Sequence, residues 1–321
     1  MTQDVIEGVY LSSTLDLKSY LAKYFEPHNA VIRLRTPDEI DDPSKVQFAL
    51  TWHPEDDAFD HYPNLKLSHS IAAGVDSIVA CPSLRDDIYV CRVHDENQAD
   101  LMAAFAAWNV VHQYRDMGIY LQNQSKGIWE SQILDELPMP QDYTVGILGY
   151  GWMGKAMARA ITAMGFSVVA AVRNQPTEPA IAGVSFEVGN DAILKTARRS
   201  QALINVLPLT DETIGFLNAA LFARMPKGAR LIQLGRGQHL IDEDLRDALD
   251  SGHLGGASLD VFAIEPLPED HFWWQHPRVV ITPHQASISS RRVLAEQVVR
   301  AAQAVSKGLA PDLFVDRSKG Y

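Results

Sequence analysis

The chain has 321 residues, 46% of them hydrophobic and 21% charged, which is long enough for two domains with full cores. Its formal net charge of −12 argues against nucleic acid or an anionic membrane as the main partner, because both would repel it. Cys81 and Cys91 could bridge but form no disulfide framework, so two reduced thiols in a reducing compartment are favoured.

Neither a targeting segment nor a membrane segment is predicted. Asp4, Glu7 and Asp16 interrupt the N-terminal stretch where the apolar core of a signal peptide would lie. The most apolar stretch, residues 101–108, is far shorter than the roughly 20 residues that a membrane helix needs. We therefore expect a cytoplasmic protein that does not bind membranes, and we predict no metal site.

The first hundred residues predict a small α/β domain. Short apolar runs, with turn residues such as Pro63-Asn64 between some of them, indicate strands at 31–34, 48–51, 65–69 and 88–91. Residues 99–122 have the length and composition of a connecting helix, and residues 291–307 have the pattern of an amphipathic helix. We expect that last helix to return to the first domain, so that a discontinuous substrate domain of residues 1–100 is completed by residues 290–321.

From Thr144 onward, short apolar runs alternate with helical patterns such as residues 155–164 and 242–249, the latter closed by Gly252. Buried strands separated by helices are typical of a parallel sheet with helices on both faces. This rhythm predicts a doubly wound dinucleotide-binding domain over residues 101–289, and hence an α/β protein of two Rossmann-like domains. The predicted strands of this domain are 144–148, 167–172, 202–206, 230–234, 257–261 and 279–282.

The sequence Gly149-Tyr150-Gly151-Trp152-Met153-Gly154 joins an apolar run to a helical pattern. Flexible loops produce Gly-x-Gly-x-x-Gly by chance, but a strand before it and a helix after it are the context of a dinucleotide site. In such a site the first glycine permits the turn, the second lets backbone approach a pyrophosphate, and the third lets the helix pack on the sheet. The helix N-terminus then offers N–H groups to the phosphates.

The end of the second strand of this domain distinguishes the two nicotinamide dinucleotides. An NAD site carries an acidic residue there to accept from the ribose 2′-hydroxyl, whereas Val172-Arg173-Asn174 contains none. An arginine can instead make charge-assisted hydrogen bonds to the 2′-phosphate of NADP. Arg173 with Asn174 therefore favours NADP(H), with NAD(H) at lower preference. The alternative is a solvated arginine in an enzyme indifferent to that phosphate.

Three polar residues follow the last three predicted strands, where ligands bind in open α/β sheets. Arg236 lies in Leu234-Gly235-Arg236-Gly237, Glu265 lies five residues after Asp260, and His284 follows Thr282-Pro283. Singly, a loop arginine is usually solvated and a histidine after proline is usually a turn residue. Their occurrence after three consecutive strands favours a shared site.

The chemistry of these three residues suits the reduction of a 2-oxo acid, which needs a hydride, a proton and a group that holds the carboxylate. The planar fork of Arg236 fits a carboxylate with an adjacent carbonyl. His284 can carry the proton near neutral pH, and a glutamate beside it would favour the imidazolium and orient the ring.

Together with Asp260-Val261-Phe262 and Leu207-Pro208-Leu209-Thr210, these features resemble the D-2-hydroxyacid dehydrogenase family over nearly the whole chain. The basic end of the second strand is similar to the glyoxylate/hydroxypyruvate reductase subgroup. So are the segments Trp52-His53-Pro54, Ala73-Gly74-Val75-Asp76 and the terminal Val315-Asp316-Arg317-Ser318-Lys319-Gly320-Tyr321. The family's acidic residue for NAD is missing, with Val172 in its place, which leaves the reaction class intact.

The resemblance implies a role for each of these residues. His284 would donate the proton with Glu265 as its partner, and Arg236 would anchor the substrate. Backbone N–H groups around Ala73, Gly74 and Val75 would receive the substrate carboxylate, while Trp52 would wall the pocket, although a core tryptophan is an equally good interpretation. Arg236 and His284 are also expected to contact the cofactor, and Asp260 would hold its nicotinamide carboxamide. The other residues expected to bind cofactor are Gly149, Gly151, Trp152, Met153, Gly154, Arg173, Asn174, Leu207, Pro208, Leu209, Thr210, Leu234 and Gly235.

The resemblance also implies a homodimer. Trp129 follows the long connecting helix where the family forms its dimer, and it would reach the neighbouring subunit's active site or serve the interface alone. Formate dehydrogenases share this fold but carry glutamine where Glu265 stands, which argues against that activity. Two alternatives stay open: a dinucleotide-sensing, corepressor-like binding protein, and a reductase of bulkier 2-oxo acids.

Overall fold

The computed structural model describes residues 5–131, 137–178 and 181–317. The chain divides into two compact units. The first consists of the described residues of Met1–Gln98 and Ile288–Tyr321, and the second of those of Ala99–Ser287. The expected roles of the two units, a substrate domain and a cofactor domain, stay predictions.

The first unit is built on a five-stranded parallel sheet in the order β2-β1-β3-β4-β5. Each predicted strand is present with its bounds shifted by at most two residues, and β1 was not predicted. Glu7 and Gly8 obscure its apolar pattern: Glu7 is paired with Arg35 at 2.9 Å across the sheet, and Gly8 leaves space for the ring of Phe48. The strands are β1 (Ile6–Leu11), β2 (Ile32–Arg35), β3 (Val46–Thr51), β4 (Leu67–Ser70) and β5 (Tyr89–Cys91).

Among the residues that the structure describes, three helices lie entirely in the first unit: α1 (Leu17–Phe25), α2 (Asp76–Val79) and α9 (Arg291–Ser306). The amphipathic pattern near the end of the chain correctly predicted α9. Its buried Leu294 and Val298 pack with Leu21 of α1 and Phe48 of β3 in one apolar core. The chain therefore leaves the first unit and returns to it.

The second unit contains a seven-stranded parallel sheet in the order β12-β11-β10-β9-β6-β7-β8. Alternate residues of β6 enter different cores, with Ile147 on one face and Leu148 on the other, as a doubly wound sheet requires. The α/β, Rossmann-like prediction is thus confirmed. The strands are β6 (Thr144–Leu148), β7 (Ser167–Val172), β8 (Val184–Val188), β9 (Ala202–Asn205), β10 (Ala229–Gln233), β11 (Leu254–Leu259) and β12 (Val279–Ile281).

The six predicted strands of this unit are present with bounds shifted by at most three residues, and β8 was missed because it is a half-exposed edge strand with little apolar pattern. The helices are α3 (Glu96–Tyr114), α4 (Met117–Lys126), α5 (Trp152–Ala163), α6 (Ala192–Arg199), α7 (Ala219–Phe222) and α8 (Asp242–Asp250). Short 3₁₀ turns include Gly237–His239 and Phe272–Gln275.

The single connecting helix expected over residues 99–122 is in fact two helices. Asp116 adopts a left-handed backbone, with φ 48° and ψ 42°, and separates α3 from α4. Its carboxylate accepts from Arg230 of β10 at 2.6 Å, and Gln113 donates to Ser258 of β11 at 2.9 Å. These two bonds to the sheet hold the end of α3 in place, and sequence periodicity does not report them.

None of the described helices is both long and apolar enough to cross a membrane. Cys81 and Cys91 are buried free thiols, in line with the expected reduced state.

Candidate active site

The glycine turn follows β6 and leads directly into α5. Gly149 has a φ of +103°, and a Cβ there would lie 3.0 Å from the backbone of Val206. A Cβ at Gly154 would lie 2.0 Å from the carbonyl oxygen of Gly149, so only glycine lets helix and turn approach this closely. A Cβ at Gly151, the N-cap residue of α5, would meet open space, and as a glycine this residue makes no side-chain cap hydrogen bond. This turn therefore fits a pyrophosphate, with open backbone at the N-terminus of a helix.

Arg173 and Asn174 follow β7 and are both exposed. The guanidinium of Arg173, with its side chain 68% exposed, donates from Nη2 to Oε2 of Glu212 at 2.9 Å. Glu212 belongs to the loop after β9, whereas Arg173 belongs to the connection after β7. Sequence reasoning correctly found no acidic residue at the end of β7, but it missed that the loop after β9 supplies one.

Residues 207–210 form a partly exposed loop after β9. The amide of Leu207 donates to Asn205 Oδ1 at 3.2 Å, and the hydroxyl of Thr213 donates to the Pro208 carbonyl at 2.9 Å. Thr213 also accepts from the amide of Thr210 at 2.8 Å. The loop is thus a closed turn at the same edge of the sheet as the glycine turn.

Arg236 follows β10 after Leu234 and Gly235, and it is half-buried. Its Nη1 donates to the Gly235 carbonyl at 2.8 Å. A Cβ at Gly237 would lie 1.8 Å from the backbone of Phe262, so the Arg236 loop packs directly on the loop after β11 that carries Glu265.

Glu265 and His284 form a hydrogen-bonded ion pair, with His284 Nδ1 and Glu265 Oε2 2.8 Å apart. Glu265 Oε1 accepts from the amide of Phe262 at 2.9 Å. Burial would raise the pKa of Glu265, but these bonds and the charges of His284 and Arg236 outweigh it and lower that pKa below 4.5. Within the described residues, His284 Nε2 has no hydrogen-bond partner, so this nitrogen can face a ligand.

The loop that carries His284 is organised by Asp260, which follows β11. His284 has a left-handed φ of 54°, and its amide donates to the Asp260 carbonyl at 2.8 Å. The buried Asp260 carboxylate accepts from the Thr282 hydroxyl at 2.6 Å and from the amides of Gln285 and Ala286 at 2.8 and 2.9 Å. Burial raises the pKa of Asp260, although these bonds offset it in part. Asp260 therefore holds the conformation of the His284 loop, while its predicted contact with the nicotinamide carboxamide stays a prediction.

The remaining predicted substrate residues lie in the first unit. Trp52 follows β3 and is half-buried against the apolar core of that unit, which supports the core interpretation as much as the pocket wall. Ala73, Gly74 and Val75 form the loop between β4 and α2. In the described part of the chain their backbone N–H groups donate to no protein acceptor.

Two further features of the family resemblance are Trp129 and the terminal motif that begins at Val315. Trp129 follows α4 and is fully exposed. Of the terminal motif, Ser318, Lys319, Gly320 and Tyr321 lie outside the described residues.

Sequence reasoning also missed a buried polar cluster beneath the Arg236 loop, formed by Asn205, Gln233 and His239. The available signal was the position of two amide residues at the ends of apolar strands, with a histidine three residues after Arg236. Within residues 5–131, 137–178 and 181–317, no group of three or more potential metal ligands occurs.

Comparison with known protein families matches residues 107–286 to the family described as D-isomer specific 2-hydroxyacid dehydrogenase, NAD binding domain. Among curated proteins, glyoxylate/hydroxypyruvate reductase A of Serratia proteamaculans (strain 568) is 38% identical over 286 residues, which cover 87% of this chain and 89% of that protein.

Two solved structures are similar over nearly their full length. A D-isomer specific 2-hydroxyacid dehydrogenase from Xanthobacter autotrophicus Py2, solved with NADPH and MES, has a TM-score of 0.86 and 34% identity, covering 99% of this chain and 100% of that one. An NADPH-dependent glyoxylate/hydroxypyruvate reductase from Sinorhizobium meliloti, solved with NADP and sulfate, has a TM-score of 0.87 and 30% identity, covering 98% and 99%.

Proposed function

The chain belongs to the D-isomer specific 2-hydroxyacid dehydrogenase family, and from this premise we propose that it is an NADPH-dependent reductase of small 2-oxo acids such as glyoxylate and hydroxypyruvate. The observation that carries the proposal is the Glu265–His284 pair, 2.8 Å apart and within the electrostatic influence of Arg236. A proton donor, its ionised partner and a carboxylate-binding cation are the protein groups that this reduction needs.

We assign the proton transfer to His284. Because Nδ1 is engaged by Glu265, Nε2 is the nitrogen that donates to the substrate oxygen. The carboxylate of Glu265 stabilises the imidazolium before transfer and orients the ring. General-acid catalysis of this kind contributes about 10²–10⁴-fold.

We propose that Arg236 binds the substrate carboxylate and, for the first unit taken by itself, that the amides of Ala73, Gly74 and Val75 bind a carboxylate. The guanidinium fork suits a carboxylate beside a carbonyl. The uncommitted N–H groups of the 73–75 loop support the second half of this assignment. Trp52 stays a candidate for the pocket wall.

We propose that the glycine turn holds the pyrophosphate of the cofactor and that Arg173, with Asn174, holds the 2′-phosphate. The open space at Gly151 and the exposure of Arg173 fit this arrangement. NADPH supplies the hydride when it is bound. NADP(H) preference favours the reductive direction, with NAD(H) as the weaker cofactor, and the two relatives solved with NADPH or NADP support this choice.

We further propose a cytoplasmic homodimer. The buried free thiols support a reducing compartment. Helices α3 and α4 and the segment after them expose apolar side chains that a second copy of the chain would cover: Leu101, Trp108, Leu121 and Trp129. Leu121→Asp should convert the dimer to a monomer in sedimentation velocity; an unchanged sedimentation coefficient would count against this surface.

The direct test follows the loss of NADPH absorbance with glyoxylate, hydroxypyruvate and phenylpyruvate, each repeated with NADH. We expect turnover with the small acids and faster turnover with NADPH. His284→Ala should abolish turnover while leaving NADPH binding intact. Tight NADPH binding without turnover of any 2-oxo acid would favour a dinucleotide-sensing binding protein, and faster turnover of phenylpyruvate would favour the reductase of bulkier acids.

A further inference from the structure

The polar cluster of Asn205, Gln233 and His239 is completely buried. Asn205 ends β9, Gln233 ends the neighbouring β10, and His239 ends the 3₁₀ turn that follows Arg236. Burying such groups is costly unless each is hydrogen-bonded. The cluster satisfies that requirement by bonds to the two loops above it.

The two amide side chains have a single consistent orientation. Asn205 Oδ1 accepts from the amide of Leu207 at 3.2 Å, so Nδ2 is the end that donates to Gln233 Oε1 at 2.8 Å. Gln233 Oε1 also accepts from the amide of Gly235 at 3.2 Å, and its Nε2 donates to the Arg236 carbonyl at 2.9 Å. The side chain of Gln233 thereby fixes two backbone groups of the Arg236 loop, the amide of Gly235 and the carbonyl of Arg236.

The tautomer of His239 follows from its partners. Its Nδ1 faces the backbone N–H of Arg236 at 3.1 Å and Nδ2 of Asn205 at 2.9 Å. Both are donors, so Nδ1 must be the unprotonated acceptor. The ring proton therefore lies on Nε2, which donates to the Pro208 carbonyl at 3.2 Å.

One imidazole thus connects two loops with different expected tasks, the Arg236 loop that is proposed to bind substrate and the 207–210 loop that the family resemblance predicts to bind cofactor. Its Nδ1 holds the backbone of Arg236, and its Nε2 holds Pro208 in the 207–210 loop. The fit is tight, because a Cβ at Gly235 would lie 2.8 Å from His239 Nδ1 and 2.9 Å from Asn205 Nδ2. The ring of Phe216 contacts the imidazole edge-on, with centroids 5.5 Å apart, and limits its movement.

We propose that His239 is a positioning residue that keeps the substrate-anchoring arginine and the cofactor-lining loop in register through its two ring nitrogens. This inference rests on the proposed roles of Arg236 and residues 207–210. A histidine that merely fills the core would be replaceable by any side chain of similar size, whereas a positioning histidine has two separable functions.

Two variants, each of which mimics one ring nitrogen, separate these functions. Asparagine reaches the level of Nδ1, so His239→Asn keeps an acceptor for the Arg236 amide and loses the bond to Pro208. Glutamine reaches the level of Nε2, so His239→Gln keeps a donor to Pro208 and loses the bond to Arg236. The loss of one such bond is expected to change the affected constant by about tenfold.

We therefore expect His239→Asn to raise the Kd of NADPH about tenfold, with the glyoxylate KM at saturating NADPH within about threefold of the native value. His239→Gln should show the opposite split, with a raised KM and a nearly native Kd. The matched control is His253→Gln, because His253 contacts the Phe222 carbonyl at 2.8 Å in the turn before β11, at the other edge of the sheet. Its Kd and KM should stay native even if its Tm falls.

Equal effects of both variants on Kd and KM, or no effect of either, would overturn the proposal. Imidazole ¹⁵N spectra of the native protein give a second measurement that needs no turnover. A protonated Nε2 and an unprotonated Nδ1 for His239 support the proposal, and the reverse tautomer refutes it. An unchanged glyoxylate KM in Arg236→Ala would instead contradict the proposed function. That result would not depend on the His239 tautomer or on the Kd of NADPH measured for the His239 variants.

Discussion

Replacement of Arg173 by alanine should weaken NADPH binding while leaving NADH binding nearly unchanged. Arg173 is the basic side chain at the end of β7, the position that meets the ribose 2′ substituent in dinucleotide folds. A guanidinium–phosphate hydrogen bond contributes roughly 1.5–3 kcal/mol. The cofactor without the phosphate makes no such bond.

The structure sets the expected loss at the lower end of that range. The Arg173 side chain is 68% exposed, so solvent screens its charge, and it already donates to Glu212 at 2.9 Å. About 1.5 kcal/mol corresponds to a rise of roughly tenfold in the Kd of NADPH. Glu212→Gln removes the competing carboxylate and should lower the Kd of NADPH by about threefold, with no change for NADH.

The assay is a fluorescence titration of each variant with NADPH and with NADH. The matched control is Arg199→Ala, because Arg199 at the end of α6 is also an exposed arginine paired with a glutamate, Glu187 at 2.6 Å, and it is not among the predicted cofactor residues. Equal losses for the two cofactors, or an equal effect of Arg199→Ala, would refute the assignment of Arg173 to the phosphate.

Three further predictions concern the reacting groups and the core. Glu265→Gln should lower kcat about 10²-fold. Because the pKa of Glu265 is lowered in the folded state, its carboxylate stabilises the fold above pH 4.5, and this effect is lost as the pH falls through the folded pKa. The difference in Tm between Glu265→Gln and the native protein should therefore disappear below pH 4.5. Asp260→Ala leaves three donors of the His284 loop unpaired and should lower the free energy of unfolding in urea by about 3 kcal/mol, with loss of turnover. Burial lowers the pKa of His69 to about 4 in the folded protein. As the pH falls, the unfolded chain therefore binds a proton at His69 before the folded protein does, and the free energy of unfolding should fall by about 3 kcal/mol between pH 6.5 and 4. In urea titrations at a series of pH values, His69→Gln should reduce this pH dependence. A native-like slope in that variant would show that another group is responsible.

Much of the fold could be predicted from sequence because the strands of parallel sheets are buried on both faces and form continuous apolar runs. Elements that depend on a neighbour could not. The strand β1 contains Glu7, whose charge is tolerated only because Arg33 and Arg35 of β2 lie beside it. The break at Asp116 likewise depends on Arg230, more than a hundred residues away.

The candidate site shows the same contrast. Arg236, Glu265 and His284 could be selected from sequence because each follows a strand, and the carboxyl ends of parallel strands share one edge of the sheet. Their roles stay predictions. Glu212 and His239 gave no comparable signal, since a loop carboxylate and a buried histidine acquire meaning only from the side chains opposite them.

The strand order of the second unit has a consequence for how such a protein can change over evolution. Arg236, Glu265 and His284 follow β10, β11 and β12 on one flank of the sheet, whereas the glycine turn and Arg173 follow β6 and β7 on the other. On the proposed assignments, mutations that change the preference between NADPH and NADH fall on a different flank of the sheet from mutations that change the proton donor and its partners. A natural lineage, or a laboratory library of variants confined to the connection after β7, can then change its cofactor preference and keep the residues proposed for the reaction.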